Sequence, residues 1–250
     1  MKTAACYGED LAYIHDAGFG GFALNSAPGL LQILRRNGIH EGLVVDLGCG
    51  SGIWLRQLGF AGYDALGVDV SSAMIRLARK KAPRATLVTG SLADVELPRC
   101  AAVTSIGECV SYTFAADSAG KDLFRFFRRV HRALLRGGVF VFDFAKAGRE
   151  PGGMPQKSYW SGDGWTVLVE KRVEASEDRA GRVLTRRITS FRRIGKLYRR
   201  TEETHHLRLY QTGELEALLR RAGFEVERLS GFGRVRFRSG HGGMLARKTG

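Results

Sequence analysis

Val44-Val45-Asp46-Leu47-Gly48-Cys49-Gly50-Ser51-Gly52 sets the fold of this chain. Two β-branched residues and a leucine read as the end of a buried strand, and glycine at three alternate positions leaves room for a ligand against bare backbone. Ile53 to Leu58 then read as a helix. A strand that runs through a glycine bend into a helix gathers free N–H groups and the positive end of a helix dipole at one place. That suits a carboxylate or a phosphate and marks a nucleotide-type cofactor site.

Spacing selects the cofactor. The dinucleotide fingerprint needs G-x-G-x-x-G, whereas Gly48, Gly50 and Gly52 give G-x-G-x-G, so a nicotinamide cofactor fits less well. The triphosphate loop fails, because Ile53 and Trp54 follow Gly52 where Lys and Ser or Thr are needed. With Asp46 in front, the pattern D-x-G-x-G-x-G resembles the first motif of the class I S-adenosylmethionine-dependent methyltransferases. The resemblance implies that Gly48, Gly50 and Gly52 pack against the methionine part of the cofactor, with Asp46 serving its ammonium end directly or through water. Asp69, at the tip of the next strand (Ala65 to Asp69), follows Gly48 by 21 residues (69 − 48), close to the distance for a carboxylate that accepts both ribose hydroxyls. The resemblance gives Asp69 the same role, adds Val70, Ser91, Leu92 and Ile106 to the cofactor set, and makes S-adenosylhomocysteine the product.

The chain has 250 residues, 44% of them hydrophobic, enough for one good core with an embellishment. Met1 to Asp10 carries no apolar signal core, and no run of ~18 apolar residues occurs, so a soluble, cytoplasmic protein with no membrane partner is expected. Cys6, Cys49, Cys100 and Cys109 form no C-x-x-C pair, which argues for reduced thiols and against a metal site.

Ahead of the glycine bend, Glu9 to Gly38 reads as two helical pieces broken at Gly18-Phe19-Gly20-Gly21. The second runs from Ser26 to Asn37, with Ser26 as N-cap candidate and Pro28 in the first turn. The family resemblance implies that such a segment folds over the cofactor, with Tyr13 and His15 as candidates to line the acceptor pocket. Beyond Asp69, Ser71 or Ser72 caps a helix through Lys81, and Ala85 to Thr89 forms a third strand. Family members place an acid directly after the next glycine to bind the adenine amine. Here Ser91 follows Gly90, leaving Asp94, or Ser91 with the Leu92 amide, for that contact.

The fourth strand, Ala102 to Ile106, leads into Gly107-Glu108-Cys109-Val110-Ser111-Tyr112, which at a sheet's switch point faces the ligand and makes Tyr112 a substrate contact. Relatives that methylate exocyclic base amines carry Asn/Asp-Pro-Pro-Tyr/Phe here, and RNA 5-methylcytosine enzymes a Pro-Cys; neither is present. Lys121 to Leu135 reads as a helix with His131 on its face, Arg136-Gly137-Gly138 as its closing turn, and Val139 to Phe144 as a buried fifth strand. It ends at the ligand side with Asp143, a further substrate-contact candidate.

From Gly148 to Tyr210 the character changes. A glycine- and proline-rich link (Pro151 to Pro155) precedes strands at Trp165 to Lys171, Arg182 to Arg193 and Leu197 to Tyr210, with turns at Glu177 to Gly181 and Ile194 to Lys196. The net charge is +14, and eight cations from Arg182 to Arg200 fall without an acid among them. Strand alternation sends them to both faces as solvated hairpin edges, with RNA as the alternative partner. His205 and His206, being adjacent, point to opposite faces. Thr212 then caps a helix through Arg221, and Phe224 to Leu229 with Met244 to Arg247 supply the last two strands.

The expected architecture is α/β: a Rossmann-like seven-stranded methyltransferase sheet with an antiparallel last hairpin, flanked by helices and carrying an inserted antiparallel β excursion. Residues 1–41 are read as a helical cap, 42–147 with 211–250 as the cofactor-binding core, and 148–210 as an insert that walls the substrate pocket or forms a homodimer contact. The expected activity is transfer of methyl from S-adenosylmethionine to N or O of a small molecule. An amine needs only to be unprotonated, whereas a hydroxyl needs a base, for which His15, Glu108 and His205 are the candidates. The alternatives are an RNA methyltransferase using residues 182–200 and a cofactor-binding regulatory module without catalysis.

Overall fold

The computed structural model describes residues 6–114, 121–147, 155–175 and 182–250. Helices α1 (Glu9–Phe19) and α2 (Gly21–Arg36) precede the repeating β-α units. These are β1 (Leu43–Leu47), α3 (Ile53–Phe60), β2 (Asp64–Asp69), α4 (Ser72–Lys81), β3 (Thr86–Thr89), β4 (Cys100–Ser105), α5 (Cys109–Thr113), α6 (Lys121–Ala133) and β5 (Leu134–Ala145). An excursion follows: β6 (Gln156–Gly162), β7 (Trp165–Ala175), β8 (Arg182–Ile194) and β9 (Leu197–Leu209). The chain closes with α7 (Thr212–Arg221), β10 (Phe224–Leu229), the short β11 (Gly231–Phe232) and β12 (Val235–Arg236), and β13 (His241–Lys248).

Seven strands form one sheet in the order β10-β13-β5-β4-β1-β2-β3, with β13 antiparallel to both of its neighbours. Strand order reverses between β1 and β4, so the ligand crevice of an open α/β sheet is expected beyond the carboxyl ends of these strands. Alternation on β5 divides the core. Phe140, Phe142 and Phe144 pack with Phe126, Phe127 and Leu219 from α6 and α7, while Val139 and Val141 face Leu34, Trp54 and Leu58 from α2 and α3. Helices cover both faces, which is why the central strands are mostly apolar, with buried polar residues such as Asp46, Thr104 and Asp143 toward their carboxyl ends.

The excursion folds as a separate four-stranded antiparallel sheet in the order β6-β7-β8-β9. It docks against α1 through Trp165, Val167 and Ile188, which bury with Leu11 and Ile14. The expected turn at Glu177 to Gly181 and most of the Pro151 to Pro155 link lie outside the described residues; the turn before Leu197 falls where expected.

Several local expectations are corrected. Helix α2 begins at Gly21, not Ser26; one residue, Gly20, makes the break, and Ser26 is buried inside the helix. Pro28 is tolerated there because Leu24, whose carbonyl loses a partner, lies on the exposed side. Helix α6 stops at Ala133, and β5 starts at Leu134 rather than Val139 because Leu134 already pairs with Cys100. Thr212 is the first residue of α7, whose N-cap is Gln211. Strand β6 was not expected, since nearly all of it is exposed and it shows no apolar alternation.

Candidate active site

The glycine bend is held from beneath. Asp46 is 1% exposed, and its Oδ1 accepts a hydrogen bond from Thr104 Oγ1 (2.7 Å), which in turn accepts one from Trp54 Nε1 (3.0 Å). Burial, with the nearby Asp69 and Asp143 charges, pushes the Asp46 carboxyl up to about 7 against the Thr104 hydrogen bond. Asp69 stands at the tip of β2, its two oxygens accepting from the Gly50 N–H (2.9 Å) and the Ser71 N–H (2.8 Å). Gly50 has φ +53°, and a β-carbon there would meet no atom within 4 Å, so the bend leaves open space over its backbone.

That space is a cleft of about 240 Å³ across the tips of β1, β2, β3 and β4. Gly48, Gly50, Asp69, Val70, Ser91, Leu92 and Ile106 all line it, seven of the nine expected cofactor residues. Gly52 does not; its left-handed φ of +80° serves the turn into α3. Asp46 lies below the bend rather than on the cleft wall, and Asp94 is exposed outside it. A carboxylate at the β2 tip, apolar walls from Val70, Leu92 and Ile106, and an open glycine backbone are the donor and acceptor set that an adenosyl group needs.

A second cleft, of about 510 Å³, opens between the sheet tips, α1, α2 and the inner face of the excursion. Its polar lining includes Glu108, Arg186, Lys171, Arg238, Asp143 and His241, and Phe19, Phe22 and Trp160 are its main aromatic walls. Tyr7, His15, Gly107 and Tyr112 line both clefts and so form the passage between them. The only non-glycine residues with positive φ among those described, Tyr7 (+59°) and Glu108 (+64°), sit at this passage, a placement of backbone strain typical of functional sites.

Each expected catalytic or substrate residue has a definite setting. Glu108 accepts from Arg186 Nη2 (2.8 Å), while Arg186 Nη1 donates to Tyr112 Oη (2.9 Å). His15 is held neutral, since burial lowers its pKa to about 4. His205 is buried behind the passage against the Tyr7 and Tyr112 rings, with Nε2 on Glu203 (2.8 Å), so it lines neither cleft. Tyr13 faces outward beneath the Arg192 guanidinium, 3.8 Å from its ring centre. It lies two residues from His15, and 200° of helical turn puts the two on opposite sides of α1. Asp143 is fully buried, its carboxylate accepting from the Gly107 N–H (2.7 Å) and the Glu108 N–H (3.1 Å) and bonded to His241 Nε2 (2.5 Å), and it lines the acceptor cleft from behind these partners.

The N-terminal segment is strapped across the site. Glu203 on β9 accepts from the Tyr7 N–H (2.7 Å) and the Gly8 N–H (2.9 Å), and Ser71 Oγ donates to the Tyr7 carbonyl (2.6 Å). Tyr7, Arg186 and His241 have no motif in the sequence; alternation on β7 and β8 is the one signal that puts Lys171 and Arg186 on a common face. The same alternation turns Arg187 to the outer face. Arg192 and Arg199 clamp the buried Asp10, Arg193 pairs with Asp163 and Arg200 with Glu202, which is where much of the basic run is spent.

A seven-stranded sheet with one reversed strand, bearing an adenosyl-sized cleft at an alternate-glycine bend, defines a class I methyltransferase fold. Residues 44–138 match the family described as "Methyltransferase domain". The chain is 28% identical over 220 residues to the dTDP-3-amino-3,4,6-trideoxy-alpha-D-glucopyranose N,N-dimethyltransferase of Streptomyces venezuelae, covering 82% of this chain and 84% of that one. It is 27% identical over 246 residues to the dTDP-4-amino-2,3,4,6-tetradeoxy-D-glucose N,N-dimethyltransferase of Saccharopolyspora spinosa, covering 92% and 91%. Its fold matches the sugar N-methyltransferase KedS8 of a Streptoalloteichus species with a TM-score of 0.77 at 24% identity, covering 100% of this chain and 98% of that one. Residues 44–138 thus carry a methyltransferase domain, in a chain with the fold of the class I S-adenosylmethionine-dependent methyltransferases. Among the described residues no helix is long and apolar enough to cross a membrane.

Proposed function

We propose that this enzyme methylates the amino nitrogen of a nucleotide-linked amino sugar. The observation that carries the reading is the junction of the two clefts at Tyr7, His15, Gly107 and Tyr112, which lets a donor in one meet an acceptor in the other. When bound, S-adenosylmethionine supplies an electrophilic methyl on a sulfonium, so the protein's main task is alignment, worth effective molarities of ~10⁵–10⁸ M. In this reading Asp69 would accept the ribose hydroxyls, Val70, Leu92 and Ile106 would pack on the adenine faces, Ser91 would meet its edge, and the glycine bend over Asp46 would hold the methionine part.

The acceptor chamber supports the choice of substrate. Its volume falls in the range of ordinary small-molecule sites, and Lys171 and Arg238 give it cations that suit a diphosphate. Phe19, Phe22 and Trp160 offer apolar faces to a deoxysugar or a base. The curated relatives named above act on dTDP-linked amino sugars, which fits a polar, anionic molecule with one nucleophilic amine. The helical cap, through Leu11, Phe19 and Phe22, and the insert, through Trp160, Lys171 and Arg186, wall this chamber.

The test is transfer of tritiated methyl from S-adenosylmethionine to dTDP-3-amino-3,6-dideoxyglucose and to 4-amino counterparts, with mass spectrometry to locate the methyl. One or two methyl groups on nitrogen support the reading. Absence of transfer to any of these amines, or methyl found on a hydroxyl, overturns it.

A further inference from the structure

The N-methylation reading leaves a proton unaccounted for. A protonated amine has no lone pair for the methyl, and a once-methylated nitrogen leaves the transfer as a cation that must lose a proton before a second methyl is added. His15 is too weak a base to keep a proton, because burial lowers its pKa to about 4. Glu108 is engaged by Arg186, and His205 lines neither cleft. With Lys171 and Arg238 serving as cations toward a diphosphate, and burial raising the Tyr7 and Tyr112 hydroxyls, His241 is left among the chamber's acid-base groups, and it is absent from the motifs of the sequence.

We propose that His241, oriented by the buried Asp143, is the catalytic base that takes the acceptor's proton. The imidazole lines the acceptor chamber at the start of β13, its side chain 20% exposed, whereas Asp143 behind it is 0% exposed. Phe237 stacks on the ring at 4.4 Å between centres and Phe22 flanks it at 5.6 Å, so its plane is fixed. Nε2 is engaged by Asp143 Oδ2, which leaves Nδ1 as the nitrogen that exchanges a proton. Asp143 Oδ1 accepts the N–H groups of Gly107 and Glu108, so the same carboxylate that aims the base also fixes the passage between donor and acceptor. A buried acid that orients a histidine and balances its positive charge is a recurrent device for making an imidazole an effective base.

In the step, the amine nitrogen bonds to the methyl carbon as the carbon–sulfur pair moves onto sulfur. The nitrogen's surplus proton then passes to Nδ1, its bonding pair returning to nitrogen, and the imidazolium is balanced by Asp143. An amine that arrives protonated gives its proton up by the same route before transfer, and in either case the proton leaves to solvent with product. The charges facing the ring are Asp143 on β5, Glu108 on the loop before α5 and Arg186 on β8; Lys171, Arg238, Tyr7, Tyr112 and His15 share the chamber. Burial and Arg186 disfavour the imidazolium, but the two carboxylates outweigh them and raise the His241 pKa above its ordinary value. The neutral, proton-accepting form therefore grows as pH rises through that value.

The proposal is tested on the full chain with His241→Gln and Asp143→Asn, the latter retaining an oxygen for the Gly107 and Glu108 N–H groups. The imidazole Hε1 resonance of His241, assigned by its loss in His241→Gln, is titrated by NMR without added ligands, and kcat is measured against pH with dTDP-3-amino-3,6-dideoxyglucose. The expected results are a titration above that of free histidine in the wild type, falling in Asp143→Asn, and a wild-type kcat that climbs with pH. In His241→Gln kcat falls by ~100-fold and the pH limb vanishes, with S-adenosylmethionine binding and acceptor KM little changed. A wild-type titration at or below free histidine, or a His241→Gln enzyme that keeps the wild-type kcat and limb, overturns the proposal. If the wild type methylates no amine, the N-methylation reading falls and the dyad is judged by the titration alone.

Discussion

Replacing Asp46 by asparagine should stabilise the protein at neutral and alkaline pH while weakening its hold on S-adenosylmethionine. The wild-type carboxyl titrates at about 7 in the fold, mainly because it is buried, and at about 3.8 when unfolded. The folded state thus keeps a proton that the unfolded chain releases. The resulting penalty is absent below pH 3.8, grows as pH climbs toward 7, and is constant above it. At 1.36 kcal/mol per pH unit between the two values, the full cost is on the order of 4 kcal/mol. Asparagine is neutral throughout and can still accept the Thr104 hydroxyl, so it removes the penalty and keeps the hydrogen bond. Urea unfolding of wild type and Asp46→Asn, followed by circular dichroism, should show a stability gap that widens by roughly 2–3 kcal/mol between pH 5 and pH 8. A gap that is the same at both pH values refutes the reasoning.

Three further outcomes are expected. Gly48→Ala forces an L-residue to φ +81° and a β-carbon to 2.3 Å from Cys109 Sγ, and should cost ~2 kcal/mol or more in denaturant unfolding. Glu203→Ala removes the acceptor for the Tyr7 and Gly8 N–H groups, so hydrogen exchange over Tyr7 to Ile14 should speed up and S-adenosylmethionine should dissociate faster. Tyr13→Ala should leave the acceptor KM within about two-fold, because Tyr13 faces away from the chamber, whereas Tyr7→Phe should alter acceptor kinetics; acceptor-dependent methyl transfer reads both.

The cofactor half of the site was legible because one local motif supplies most of it. A glycine bend has to follow its strand, and Asp69 has to stand on the next strand, so spacing alone brought Gly48, Gly50 and Asp69 to a common cleft. Burial was harder to read: nothing in Val45-Asp46-Leu47 says that the aspartate would end beneath the bend, held by Thr104 from β4. The acceptor half was mostly hidden, since its walls come from residues as distant as Tyr7, Lys171, Arg186 and His241. Helix phase could have separated Tyr13 from His15, had the first helix shown an apolar stripe. Asp143 stands at the ligand end of β5 as expected, yet its carboxylate is engaged by Gly107, Glu108 and His241, and His241 takes the more exposed position in the chamber. Strand β6 left no trace because nearly all of its residues are exposed, with Trp160 reaching over to Phe19 at the chamber wall.

The most direct test of the central claim is isothermal titration of S-adenosylmethionine into the wild type and Asp69→Ala. A carboxylate that accepts two ribose hydroxyls contributes ~1.5–3 kcal/mol per hydrogen bond, so the account predicts saturable one-to-one binding by the wild type and a Kd at least about 100-fold weaker in the variant. No binding by the wild type, or the same Kd in both proteins, would contradict it.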